Sequence, residues 1–165
     1  MPIVSSDIQY RMSGGAGNSN PDASLGGAES STSFTANAVF DDVSSAEATA
    51  GSTEYRCFYV HNNHATLTLQ SAKIWIQTQT PSGDTDIAIA LGGEGLNGTA
   101  ETVANENTAP SGETFSQPSS FAGGLSLGNL APGDRYPVWV RRTVNAGAAG
   151  ANDSWTISVR GDTNP

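Results

Sequence analysis

Two histidines, one cysteine and a scatter of carboxylates are the groups in this 165-residue chain best able to do chemistry. His61 and His64 flank Asn62-Asn63. A zinc site needs three or four ligands in tetrahedral arrangement. Two histidines on either side of a turn supply at most half of one, so this spacing reads as a polar turn between strands. Asp84, Asp86 and Glu94 fall near loops and could gather around a calcium ion. No D-x-[DN]-x-[DN]-G loop accompanies them, so solvated acidic loop residues are the expectation. Cys57 stands in mid-strand between Arg56 and Phe58, where a cysteine commonly serves as a small buried hydrophobe. No base is placed for a thiol nucleophile, and neither a G-x-S-x-G elbow nor a P-loop occurs. Arg160-Gly161-Asp162 spells a cell-adhesion tripeptide, but it falls at the end of the last strand, and chance accounts for it in a chain this rich in Gly and Asp. No catalytic set emerges. The expectation is a protein that docks on something, with no enzymatic activity, metal or cofactor.

Composition sets the frame for those residues. Apolar residues make up 36% of the chain, below the roughly 45–50% of an average soluble domain. With 19 glycines and frequent Ser, Thr, Ala and Asn, this suits a loop-rich β protein with a modest core. Sixteen acidic residues face seven basic ones, and Lys73 is the only lysine. A net charge of -9 repels phosphate backbones, so nucleic acid is not an expected partner. One cysteine excludes an internal disulfide. No apolar stretch suggests a signal peptide or a membrane span, which points to synthesis in a cytosol with no membrane partner.

The pattern along the chain is β throughout. Residues 1–53 read as an extended, loop-rich N-terminal arm with one short strand, in which Ile8, Tyr10 and Met12 alternate. Phe34 and Phe40 are isolated apolar anchors in a Gly/Ser/Ala/Asn background that cannot order itself alone. Residues 54–165 read as the β-sandwich domain. Its strands are expected at Glu54–Val60, Ala72–Thr78, Ile87–Leu91, Tyr136–Val144 and Trp155–Val159, with a short one near Thr102 to Ala104. No convincing helix is expected. The result is an all-β, immunoglobulin-like antiparallel sandwich. The irregular stretch 92–124 is long enough to be an interface element or a functional loop.

Trp75 and Trp139 lie opposite the aliphatic faces Ile74/Ile76 and Val138/Val140 of their strands. If the aliphatic faces form the core, the indoles lie on outer faces. There they are either covered by residues 1–53, from the same chain or a neighbour, or they anchor a subunit contact, where Trp and Arg are enriched. Arg141 shares the Trp139 face. Ile8, Tyr10, Phe34, Phe40, Trp75, Trp139 and Arg141 are therefore the candidate interface residues.

Four segments carry a resemblance: Phe40-Asp41-Asp42-Val43-Ser44, Glu54-Tyr55-Arg56-Cys57-Phe58-Tyr59-Val60, Ala104-Asn105-Glu106-Asn107-Thr108-Ala109-Pro110, and Val138-Trp139-Val140-Arg141-Arg142-Thr143-Val144. Together the chain from Ile3 to Asp162 is similar to small virion proteins of tailed bacteriophages. The resemblance implies a capsid decoration, or cement, protein on the head surface, bound to the major capsid protein. It also implies a homo-oligomer, with a trimer among the candidates, and no catalytic residues. A tail or baseplate position, or a glycan- or receptor-binding module, is the alternative.

Overall fold

The computed structural model describes residues 2–35, 39–149 and 153–163. Seven strands form two antiparallel sheets: β1 (Ile8–Met12), β2 (Ser52–Asn62), β3 (Leu69–Thr78), β4 (Thr85–Leu91), β5 (Leu125–Leu130), β6 (Arg135–Val144) and β7 (Thr156–Thr163). One sheet has the order β1-β2-β6-β4 and the other β5-β3-β7. The all-β sandwich expected from the alternating pattern is the observed architecture. Phe58 and Val60 of β2, Val138 and Val140 of β6, and Ile87 and Ile89 of β4 point inward from the four-stranded sheet. They meet Ile74 and Ile76 of β3 and Leu127 and Leu130 of β5. A strand places successive side chains on opposite faces, so this one register fixes which residues enter the core.

Alternation then sends Cys57 and Tyr59 of β2, Ala90 of β4 and Trp139 of β6 to the outer face of the four-stranded sheet. That face is also buried. Leu25, Ala100, Val103 and Phe115, from the stretches between β1 and β2 and between β4 and β5, close over it as a second, smaller core. Trp139 is 0% exposed there. The Tyr59 hydroxyl stitches the two covering stretches together, donating to the Gly27 carbonyl (2.7 Å) and accepting from the Ala100 N–H (2.9 Å). Gly26 is needed where they cross: its φ is +91°, and a Cβ would fall 1.7 Å from the Glu101 carbonyl oxygen. On the other sheet, Trp75 packs edge-on against Phe121 with ring centroids 5.8 Å apart.

The N-terminal stretch is thus joined to the sandwich, with β1 paired along β2 from Ile8↔Asn62 to Met12↔Phe58. The division expected at residue 53 falls inside β2. Thr102 to Ala104 forms no strand; Val103 instead donates its N–H to the Leu25 carbonyl (2.9 Å). Leu125–Leu130, where no strand was expected, is paired with β3 as β5. One short helix, α1 (Ser45–Ala50), departs from the expectation of none. Its signal was present. Ser44 and Glu47 form a reciprocal capping box, and Gly51 ends the helix at φ 80°.

Both edges of the four-stranded sheet are closed. Residues 30–34 run along β1, with Phe34 N–H to Tyr10 O (2.8 Å) and Met12 N–H to Thr32 O (2.9 Å). Along β4, Ser116 exchanges two bonds with Ile89, each 2.9 Å. The Gln79 amide there accepts from Ile87 N–H (2.9 Å) and donates to Ile87 O (2.7 Å).

Because Trp139 fills the second core, Trp139→Ala is expected to cost about 3–5 kcal/mol, as large aromatic truncations in a core do. Urea unfolding followed by fluorescence of the remaining tryptophans measures this. An unchanged midpoint would mean the two covering stretches do not hold the outer face.

Candidate functional site

The inner face of the four-stranded sheet changes character along its length. Phe58 and Val60 are followed, two residues apart toward the other end of β2, by Arg56 and Glu54, both 0% exposed. Glu54 lies directly opposite Arg142 of β6. The Arg142 guanidinium donates to Glu54 Oε2 through Nε (2.9 Å) and again through Nη2. Both charge-assisted bonds converge on one carboxylate oxygen, and the Ser52 hydroxyl donates to the other, Oε1 (3.2 Å). Burial pushes the Glu54 carboxyl above its ordinary value, and the positive charge of Arg142 opposes that.

The segment from Val39 to Val43 closes this end. The Phe40 ring lies against two cations, 4.7 Å from the Arg142 guanidinium and 5.5 Å from that of Arg56. The Asp41 carbonyl accepts from Arg142 Nη1 at 2.6 Å. Arg56 Nη2 pairs with Glu106 at 2.6 Å and lies 3.6 Å from Asp22 and 3.8 Å from Asp41. Four carboxylates from four parts of the chain therefore converge on two guanidiniums. Carboxylate oxygens of Asp41, Glu54 and Glu106 lie within 4.8 Å of one another, close enough to share a metal ion. Yet Arg56 and Arg142 already hold the place a cation would take, and they would repel it. The arrangement is a clamp: it fixes residues 40–41 to the sheet.

Beside the clamp lies a cleft of about 1050 Å³, lined in part by Tyr10, Phe34, Phe58, Arg142 and Trp155. Burial pushes the Tyr10 hydroxyl up to about 12. The Ser82 and Thr85 hydroxyls at the cleft's far end both donate to the Asp153 carboxylate, which those bonds hold below its usual range. With its pKa held down, the Asp153 carboxylate is a weaker base than an ordinary one toward those hydroxyls.

A second cluster pins residues 24–34 to the outer face. Glu29 Oε1 lies 2.8 Å from His61 Nδ1, and its carboxylate is 3.8 Å from both Arg11 and Arg135. A proton on Nδ1 satisfies both buried atoms of the Glu29–His61 contact. Burial lowers the His61 pKa, while the Glu29 carboxylate opposes this and Arg11 and Arg135 add to it.

The expected candidates fall as follows. Ile8, Tyr10 and Phe34 pack half-buried against the main core, and Phe40 fills the clamp. Trp75 is 8% exposed, and Arg141 stacks on Phe115 at 5.3 Å. His64 is a turn residue: its Nδ1 accepts from the Thr66 and Leu67 N–H groups. Asp84 and Glu94 accept backbone N–H bonds from Ala149 (3.0 Å) and Glu101 (2.6 Å). Together with Asp86 they form no metal-sized group among the described residues. Cys57 is fully buried, and burial pushes its thiol well up. Arg160-Gly161-Asp162 is extended within β7 and paired with β3. Glu54, Arg142, Asp41 and Glu29 were missed. For Glu54 and Arg142 the signal was strand alternation, which puts Glu54 and Arg56 on the face of Phe58 and Val60; Asp41 and Glu29 lie outside the strands and carried none.

Two expected outcomes follow from these clusters. Arg142→Leu alone leaves Glu54 buried without a partner and should cost about 3–5 kcal/mol, whereas the double change with Glu54→Leu should recover most of that loss. Denaturant titrations of the single and double variants measure this. For His61, the folded-state pKa lies below the unfolded value of about 6.5, so the unfolded chain binds the extra proton first. Stability is full above about pH 6.5 and falls as the pH drops toward the folded-state pKa. His61→Gln should flatten that part of the stability–pH curve, measured by thermal melts across the range.

Compared with protein-family models, with curated proteins and with solved structures, the chain matched none of them.

Proposed function

We propose that this chain is a non-catalytic structural protein that works by docking. From the resemblance of its segments, we propose further that it is a decoration protein of the immunoglobulin-like sandwich type on the head of a tailed bacteriophage. There it would bind the major capsid protein as a homo-oligomer. The observation that carries the structural role is how the reactive groups are spent. The arginines and carboxylates of the clamp neutralise one another, His61 and Glu29 pin a covering stretch, and His64 shapes a turn. The chemistry that could have served catalysis holds loops on a sheet.

The reading as a glycan- or receptor-binding module is favoured by one feature, the cleft with Tyr10, Phe34 and Trp155 on its walls. Against it, Trp75 and Trp139 are both buried and offer no stacking platform for a sugar.

The test is reconstitution. Purified chain is added to heads of the parent phage that lack it, and the particles are imaged by cryo-electron microscopy. Density at symmetry-related positions on the head, with a higher temperature of head disruption, is the expected result. Density confined to the tail, or no binding, overturns the capsid assignment, and binding on a glycan array would favour the other module.

A further inference from the structure

The chain has few cations, and most are spent internally. Arg11, Arg56, Arg135 and Arg142 each pair with a carboxylate. Arg141 stacks on Phe115. Lys73 and Arg160 differ. They lie directly opposite each other across the β3–β7 pair, on the outer face of the three-stranded sheet. Like charges in that position repel. Neither forms an ion pair with any carboxylate among the described residues, although acidic residues outnumber basic ones sixteen to seven. Asp162, two residues along β7 from Arg160, forms no ion pair with either of them. Both cations stand over one ring, that of Phe121, at 5.4 and 5.3 Å. Arg160 is exposed, and the neighbouring β5 residue opposite Lys73 is Ser126, too small to cover the pair. Lys73 is half-buried and its ammonium donates to the Ala122 carbonyl (3.2 Å). The sheet therefore holds a like-charge pair on an aromatic base with no carboxylate paired to it among the described residues, an arrangement that an anionic partner would relieve.

The same molecule carries the complement on its other side. The stretch between β4 and β5, which covers the outer face of the four-stranded sheet, bears Glu94, Glu101 and Glu113. None of the three meets a cation among the described residues. Burial raises the Glu113 carboxyl above its usual range, and the charges of Glu94 and Glu101 raise it further.

We propose that the Lys73–Phe121–Arg160 face is a docking surface for a second copy of this chain, which presents the acidic Glu94–Glu113 side of its covering stretch. The two surfaces lie on opposite outer faces of the sandwich, so the contact is head-to-tail and builds a ring when its rotation closes. It requires nothing of the capsid assignment and stands if that assignment fails.

The experiment is sedimentation velocity on the full chain across a concentration series, at about 20 mM and about 500 mM salt, where screening lengths differ severalfold. The expected result is reversible self-association that weakens at high salt. K73S/R160S, and independently E94Q/E113Q, should each lower the association constant about tenfold or more. Both variants should melt cooperatively and close to the wild-type temperature, since K73S/R160S gives up the contacts on Phe121 and Ala122 together with the repulsion. Mixing K73E/R160E with E94K/E113K should restore a complex that neither forms alone. A wild-type chain that stays monomeric throughout, or an oligomer indifferent to K73S/R160S, overturns the proposal. A monomer that binds a different acidic protein through this face overturns the choice of occupant.

Discussion

The ten-residue antiparallel register between β2 and β6, from Ser52↔Val144 to His61↔Arg135, is the constraint on which the rest of the structure depends. Side chains alternate along a strand, so this register assigns Phe58, Val60, Val138 and Val140 to one core, and Cys57, Tyr59 and Trp139 to the other. A slip by one residue would exchange the two sets. It would put the Trp139 indole between the sheets, in space shaped for valine, and turn Glu54 and Arg142 outward. Most sheets in small sandwiches bury one face; this one buries both, so its central strands tolerate few errors. The irregular stretches between β1 and β2 and between β4 and β5 are the second half of that arrangement, because without them the outer aromatic set would face water.

The clamp at the end of the sheet raises a question of energetics. Two guanidiniums and a carboxylate taken out of water cost several kcal/mol each before any pairing, and apolar residues of similar volume often serve stability as well or better. What the charges supply is position. An apolar plug can slide or rotate in an apolar slot. Phe40 held against both Arg56 and Arg142, with the Asp41 carbonyl fixed to Arg142, has one seating. Glu106 and Asp22 reach Arg56 from other parts of the chain, so the clamp also ties their segments to the sheet. The Glu29–His61 contact does similar work on the opposite face with a histidine whose pKa burial lowers.

Much of the β architecture was legible in the sequence because alternation is a strong signal wherever one face is aliphatic. β2, β3, β4 and β6 all announce themselves that way. β5 did not: Leu-Ser-Leu-Gly-Asn-Leu is interrupted by a glycine with φ 74° and leads into a Pro-Gly turn, so its local pattern resembles a loop. α1 is six residues long and carries no apolar face, so only its caps could reveal it. The clamp was hidden for a different reason. Strand alternation places Glu54 and Arg56 on the inward face, but their partners Asp41, Glu106 and Arg142 are distant in sequence. Nothing local says that charges on that face will find one another. For Trp139, the residue pattern led to two coverings, a swapped or native stretch of chain and another subunit. The structure supplies one from its own chain, partly from the stretch after β4 that had been considered for other roles.

The closed edges of the four-stranded sheet carry a consequence for how molecules of this kind meet. Residues 30–34 occupy the donors and acceptors along β1, and Ser116 with the Gln79 amide occupies those along β4. An incoming chain that seeks to extend the sheet finds these rungs already taken. The outer strands of the other sheet, β5 and β7, have no such guard among the described residues. Backbone-to-backbone growth, whether a productive graft or an accidental polymer, is thereby steered to one side of the molecule, giving a sandwich that is directional in its capacity to propagate.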